Sequence, residues 1–327
     1  PPNPHRSRTD RDPGHTMIHI ENLRKTYGPL VALNDLSLSI GPGEVFGFIG
    51  PNGAGKSTTM KILAGLVRAD SGKAHVCGLD AATQIDLVKH RIGYMPDFLG
   101  VYDDLTVDEY LQFFAAAFEI GRKRRRAVID SVLQLTDLTG KRHAMVDSLS
   151  RGMQQRLGVA RVLLHEPSVL LLDEPASGLD PRARIELREL LLELKRMGKC
   201  IMISSHILTE LAEMSSSIGI IERGTLLYAG SIDDAFRAAG VGERVAVTFE
   251  PGPLDASTAA LHIQGDPRLL GVEVEGDTLV ATFDPAHRSH HFLIEKLVAA
   301  GARIGAFTPR PVRLEEVFLR ITKGALQ

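Results

Sequence analysis

The stretch Val45-Phe46-Gly47-Phe48-Ile49-Gly50-Pro51-Asn52-Gly53-Ala54-Gly55-Lys56-Ser57 joins a short apolar run to the opening of a helical pattern. Positions 50–57 fit GxxxxGK[ST], and a strand before with a helix after is the context in which that pattern cradles phosphate. Gly50, Gly53 and Gly55, with Asn52 and the small Ala54 between them, let backbone N–H groups converge on phosphate oxygens without obstruction by Cβ atoms. The helix N-terminus adds a favourable dipole. Lys56 supplies the cation for β/γ-phosphate charge, and the Ser57 hydroxyl is a ligand for Mg²⁺.

A second apolar run, Val169-Leu170-Leu171-Leu172, exits directly into Asp173-Glu174-Pro175. Two adjacent carboxylates there suit phosphoryl transfer: Asp173 for the Mg²⁺ shell, Glu174 to orient the attacking water and take its proton. ATP with Mg²⁺ is the expected ligand.

The composition agrees with a globular chain and narrows the partners. Hydrophobic residues make up 44% of the 327 positions and charged ones 24%, which excludes disorder of the whole chain. A net charge of −2 provides no global field for nucleic acid, so no nucleic acid partner is expected. Cys77 and Cys200 are the two cysteines, without CxxC spacing, which excludes a disulfide scaffold or cysteine zinc site and fits a reducing compartment. No run approaches the roughly 20 apolar residues of a membrane span. Arg122-Lys123-Arg124-Arg125-Arg126 reads first as a solvated helix face, with contact to anionic lipid or a permease as the alternative, and the scattered histidines, His290-His291 included, read as surface residues.

Along the chain, residues 1–16 read as a disordered leader. From 17 to 239 short apolar strands (Val45–Ile49, Ile92–Met95, Val169–Leu172, Cys200–Ser204) alternate with helical stretches, predicting an α/β fold with mostly parallel pairing. Between about 100 and 165 helical periodicity takes over, through Val107–Phe118, Arg122–Leu135 and Met153–Leu164: a helical insertion in the α/β core. From 240 to 327 the order changes to β-α-β-β-α-β, with strands at Arg244–Phe249, Val272–Glu275, Thr278–Phe283 and Arg303–Phe307. That order predicts a small ferredoxin-like α+β domain, closed by an amphipathic helix at Leu314–Ile321.

Three further blocks carry a family resemblance. Leu149-Ser150-Arg151-Gly152-Met153-Gln154-Gln155-Arg156 resembles the LSGGQ signature of ATP-binding cassette (ABC) proteins. Ser177-Gly178-Leu179-Asp180 is similar to their D-loop, and Ser204-Ser205-His206 to the switch histidine. The set, in this order, identifies residues 17–235 as resembling an ABC ATPase built on the P-loop NTPase fold. The resemblance implies that Tyr27 in KTYG stacks on adenine and that Lys56, Ser57 and Thr58 cradle nucleotide and metal. It implies that two copies sandwich two ATPs, so that Ser150 and Gly152 contact the γ-phosphate held by the opposite copy and Asp180 links the two sites. His206 would clamp the γ-phosphate and position water. The chain departs from the pattern at Asp97, where the family has a glutamine that reaches Mg²⁺ and water, and at Arg151 and Met153 in the signature. Asp97 is expected to keep a role toward the metal, because a carboxylate is a good ligand for a hard cation.

A motor of this kind without a membrane span needs something to drive. The chain has one GxxxxGK[ST] and no sustained heptads, unlike cassette proteins of translation or chromosomes. Leu99-Gly100-Val101-Tyr102 lies where transporter cassettes receive the permease, and Leu314-Glu315-Glu316-Val317-Phe318-Leu319 resembles the closing segment of exporter cassettes. The resemblance therefore implies a homodimeric ATPase subunit at the cytoplasmic face of the membrane, partnered by a polytopic permease and serving export. The alternative is a soluble regulatory ATPase acting on ribosomes or another assembly.

Overall fold

The computed structural model describes residues 16–98, 100, 104–239, 242–284, 287, 289–310 and 314–324. The expected leader, apart from Thr16, and Leu99, Val101 and Tyr102 of the expected permease-docking segment lie outside the described residues. The chain divides into two compact units, one ending at Ser231 and one beginning at Ile232.

In the first unit the elements run β1 (Ile18–Tyr27), β2 (Leu30–Ile40), β3 (Val45–Ile49), α1 (Lys56–Leu63), β4 (Ser71–Val76), β5 (Leu79–Asp80), α2 (Ile85–Lys89) and β6 (Ile92–Met95). There follow α3 (Val107–Ala117), α4 (Arg122–Leu135), α5 (Arg151–Leu163), β7 (Val169–Asp173), α6 (Pro181–Arg196), β8 (Cys200–Ser205), α7 (Leu208–Met214), β9 (Ser217–Glu222) and β10 (Thr225–Ser231). Six strands form the main sheet in the order β10-β9-β3-β8-β7-β6. Its inner pairs are parallel and only β9–β10 is antiparallel. Strands β3, β7 and β8 are buried along their whole length, which is why their sequences are nearly continuous apolar runs. Parallel pairing aligns the C-terminal ends of β3, β7 and β8 on one edge, so the loop at 50–55, Asp173-Glu174 and His206 all leave the sheet there.

A second sheet, β2-β1-β4-β5, is antiparallel. The sequence pattern does not reveal it, because bulges between Ile20 and Thr26 break the alternation that would mark β1. The predicted helices at 107–164 are present, with α5 beginning two residues earlier than Met153 because Ser150 caps it. Helix α3 starts at a reciprocal cap: the Glu109 N–H donates to the Thr106 hydroxyl, and the Thr106 N–H donates to the Glu109 carboxylate at 2.8 Å. Helix α4 buries Ile129, Val132 and Leu133, while most of its Arg-Lys run stands in solvent.

The second unit contains α8 (Ile232–Ala238), β11 (Arg244–Phe249), α9 (Ala256–Ile263), β12 (Leu269–Glu275), β13 (Thr278–Phe283), α10 (His291–Ala299), β14 (Ile304–Arg310) and α11 (Leu314–Gly324). The sequence reading ends the first domain at 239, whereas α8 goes with this unit, packing against α11. Its sheet is antiparallel in the order β12-β13-β11-β14, with a core that includes Val245, Val247, Ala259, Ile263, Phe283, Leu293 and Leu297. Asp266, almost fully buried, pairs with Arg268 at 2.9 Å and with Lys296, and these partners hold its carboxyl well below the ordinary range. Phe283 is 1% exposed at the centre of this core. Phe283→Ala is expected to destabilise the second unit by about 3–5 kcal/mol, read as a lower urea midpoint and faster proteolysis within residues 232–327.

Candidate functional site

Loop 50–55 is shaped by close approaches that only glycine permits. A Cβ on Gly50 would lie 2.3 Å from the Ile221 carbonyl oxygen, and one on Gly55 would lie 2.6 Å from that of Ala32. Gly55, with φ +111°, is also the N-cap of α1 and offers no side chain to its first turn. The first N–H groups of α1 therefore have no side-chain cap, which suits an oxyanion. Pro51, Asn52 and Gly53 are exposed at the tip, Ala54 and Lys56 are buried, and Ser57 and Thr58 are half-buried on the first turn. The Lys56 ammonium donates to the carbonyls of Gly50 at 2.6 Å and Pro51 at 3.3 Å.

The acidic groups arrive from β7. Asp173 is 3% exposed and accepts the Ser204 hydroxyl at 2.6 Å, across the register in which β7 and β8 pair Asp173 with Ser204. The same Ser204 oxygen accepts the Glu174 N–H at 2.9 Å. Glu174 has φ +50° although a proline follows it, a left-handed conformation that costs about 1–3 kcal/mol. The kink aims its carboxylate back at the loop: Oε1 lies 3.6 Å from Lys56 Nζ, and Oε2 lies 2.7 Å from His206 Nδ1. Oε1 is buried and has no hydrogen-bond partner among the described residues. Lys56, Glu174 and His206 thus form one chain of contacts.

Asp97 follows β6 and is exposed, yet its carboxyl is raised above the ordinary range by partial burial and then by the charges of Asp173 and Glu174; Arg151 and His206 oppose the shift. Tyr94, on β6 itself, has a buried hydroxyl without a hydrogen-bond partner among the described residues, pushed up to about 12 by burial, Asp173 and Asp97. An oxygen-rich set of Ser57, Asp173 and Asp97 suits Mg²⁺, which is bound through few protein ligands with phosphates supplying others. Among the described residues no cluster of three His, Cys, Asp or Glu side chains forms a self-sufficient metal cage. The chain's residues fit a magnesium nucleotide on these grounds and on the unpartnered Glu174 oxygen.

The remaining predicted residues gather elsewhere in the unit. Ser150 caps α5, accepting the Met153 N–H, and Asp180 caps α6, accepting the Ala183 N–H at 2.8 Å. Gly152 lies against Ala183, where a Cβ would come within 2.7 Å of the Ala183 Cβ, so the two helix starts sit side by side. Among the described residues no hydrogen bond or ion pair joins Ser150 or Asp180 to loop 50–55. Arg151 lays its guanidinium over Gly178, where a Cβ would come within 2.4 Å of it. Tyr27, 46% exposed, ends β1 on the hairpin whose other strand presses Ala32 against Gly55. Sequence reasoning does not assign Ser204 and Arg151 these contacts; the signal for Ser204 is a hydroxyl at the end of an otherwise apolar strand.

The profile of the family described as ABC transporter matches residues 33–177. Nod factor export ATP-binding protein I of Paraburkholderia xenovorans (strain LB400) is 34% identical over 310 residues, covering 95% of this chain and 98% of that protein. The protein of the same name from Burkholderia orbicola (strain AU 1054) is 36% identical over 313 residues, covering 95% and 98%. Among solved structures, an ATP binding subunit of an ABC transporter superposes with TM-score 0.63 at 30% identity, covering 69% of this chain and 94% of that one. The cbiO1 protein of Clostridium perfringens, part of the ABC transporter complex cbiONQ, gives TM-score 0.63 at 26% identity, covering 68% and 91%. The full-length relatives therefore share the second unit.

Asp70 holds the strand end that carries Tyr27. Its carboxylate accepts Lys25 Nζ at 2.9 Å, the Thr26 N–H at 2.6 Å and the Thr26 hydroxyl at 2.7 Å, and these bonds lower it from 3.8 to about 2. A depressed carboxylate stabilises the fold above its unfolded value and loses that contribution as pH falls through its folded one. Asp70→Asn should lower the urea midpoint at pH 7, with the gap to wild type narrowing below pH 3.8 and closing near about 2. A gap independent of pH would contradict the charge-assisted role.

Proposed function

The chain belongs to the ABC transporter family of ATP-binding proteins and is an ATP hydrolase of that family, and from this premise we propose that it is the motor of an exporter. The observation that carries the export reading is the similarity of 34% over 95% of the chain to a protein named for Nod factor export. That similarity extends through the second unit, beyond the part shared with the solved ATP-binding subunits.

In this reading residues 17–231 are the ATPase domain, with 100–165 its helical subdomain, and 232–327, α8 included, are an accessory domain of ferredoxin-like type. The last assignment is supported by the antiparallel order β12-β13-β11-β14 with α9 and α10 as crossovers. Loop 50–57 binds the phosphates of ATP, Tyr27 its adenine. Ser57, Asp173 and Asp97 hold Mg²⁺, which neutralises charge on the phosphate oxygens when bound. Glu174 orients the attacking water and takes its proton; its left-handed backbone and its bond to His206 set where that carboxylate points. Lys56 draws off phosphate charge from a buried position, where each charge interaction is less screened than at the surface.

Ser150 and Gly152 serve the ATP of a second copy. Both are at the start of α5, where among the described residues no hydrogen bond or ion pair joins Ser150 to the loop of its own chain, which supports a homodimer that closes around two ATPs. Asp180, on the neighbouring helix start, links the two sites. Closure by γ-phosphate contacts that ADP lacks biases a two-state equilibrium, and a polytopic permease in the membrane reads that state. In this reading the chain is peripheral at the cytoplasmic face, held there by the permease; no helix among the described residues is long and apolar enough to cross a membrane.

Glu174→Gln is expected to lower ATP turnover by about 10²–10⁴-fold while ATP binding persists, and Lys56→Ala to weaken ATP binding itself. Wild-type turnover in Glu174→Gln would remove its assignment as base. Tagged Glu174→Gln, recovered from detergent-solubilised membranes in MgATP, is expected to bring a stoichiometric polytopic protein identified by mass spectrometry. Recovery of ribosomes or soluble proteins alone would replace the exporter reading with that of a soluble regulatory ATPase.

A further inference from the structure

A cavity of about 470 Å³ opens between α4 and the C-terminal ends of α5 and α6. Its size falls in the range of small-molecule sites. Val128, Val132 and Leu135 line it from α4, Leu163 from α5, and Leu194 and Met197 from the end of α6. Met197 is 56% exposed, so apolar surface reaches the mouth.

The polar lining is one-sided in charge. Lys123, Arg124 and Lys199 face the cavity against a single carboxylate, Glu166. Lys123 and Arg124 stand exposed and form no ion pair among the described residues. The Lys199 ammonium donates to the carbonyls of Pro167 at 2.7 Å and Glu166 at 3.5 Å, and it too has no carboxylate partner among the described residues. Apolar walls with three cations and one carboxylate among the lining match a ligand with one apolar tail and one anionic head.

We propose that the cavity between α4, α5 and α6 binds a single-chain anionic amphiphile, its tail among Val132, Leu163 and Leu194 and its head at Lys123, Arg124 and Lys199. Its position gives the site a route to the ATPase. Helix α5 begins at Ser150 and ends at the cavity; α6 begins at Asp180 and ends there too. Both are rigid, and they are joined near their starts by Gly152 against Ala183 and by Arg156 with Glu186 at 3.5 Å. A ligand that spreads their far ends from α4 shifts the helix starts that carry Ser150 and Asp180. Binding itself is independent of the exporter reading, because it is measured without nucleotide.

Dodecanoate, titrated calorimetrically into the full chain below its micelle concentration, is the probe. Saturable 1:1 binding is expected, at least tenfold tighter than that of dodecyltrimethylammonium, which has the same tail and the opposite charge. Lys123→Glu with Arg124→Glu, both on exposed positions that leave the fold intact, should weaken dodecanoate at least tenfold. Val128→Trp should fill the cavity and abolish binding, with its tryptophan, the only one in the chain, reporting that the variant is folded. In MgATP, dodecanoate should change wild-type turnover at least twofold and leave that of Val128→Trp unchanged. Equal affinity for the two amphiphiles, or undiminished binding by the charge-reversed variant, overturns the anionic site. Binding to phosphatidylglycerol vesicles without binding to monomeric dodecanoate overturns the cavity in favour of a basic membrane-facing surface. Saturable binding with unchanged turnover overturns the coupling through α5 and α6.

Discussion

The close approach of three backbones at loop 50–55 is the constraint around which the first unit is arranged. Gly50 meets the Ile221 carbonyl from the main sheet, and Gly55 meets the Ala32 carbonyl from the antiparallel sheet. The turn between β9 and β10 completes the junction: the Gly224 N–H donates to Ala54 O at 2.9 Å, and Gly224 O accepts the Asn34 N–H at 2.8 Å. A side chain at Gly50 or Gly55 would force one sheet from the other. The loop proposed as the phosphate cradle therefore also serves as a joint between sheets, and its shape is inherited from the packing of both.

Charge is organised around that joint. Lys56, 6% exposed, is a buried cation whose partners are carbonyls, with Glu174 at ion-pair distance. Asp173 is buried deeper, relieved by one hydroxyl, and Asp97 adds a third carboxylate nearby whose ionisation those two oppose. Such clustering is costly for a purely structural site, because like charges in a partly buried volume repel one another. In the proposed site a nucleotide with a divalent cation would change the balance, its cation held by these carboxylates and its phosphates by Lys56 and the α1 terminus. The departures from the family pattern fall into the same field: Asp97 introduces an anion and Arg151 a cation that opposes its shift.

Legibility in the sequence follows burial. Strands β3, β7 and β8 are covered on both faces, so apolar runs alone mark them to within a residue, and the turns after them carry the residues that converge. Strand β1 is illegible because its bulges move side chains from one face to the other without any change in composition. The convergence of Lys56, Glu174 and His206 is readable from the order of motifs, whereas its geometry is not. Nothing local in Glu174-Pro175 announces a positive φ, which is imposed by Ser204 bonding the Glu174 N–H from the adjacent strand.

The two helices capped by Ser150 and Asp180 run from the proposed second-copy contacts to the crevice, which is the route by which the proposed ligand would act on the chemistry. A helix is stiff along its axis, so its two ends move together. Helix α5 is buried on most sides and cannot slide without carrying Gln155 and Arg156, and Arg156 is tied to Asp137 at 3.1 Å and to Glu186 at 3.5 Å. Displacement at Leu163 or Leu194 is then transmitted rather than absorbed, because the intervening packing has no loop to take up the strain. Where an open volume lies between α4 and the ends of α5 and α6 instead of side chains, the far ends have room to shift, and in the proposed dimer the helix starts that would meet a second copy's nucleotide shift with them.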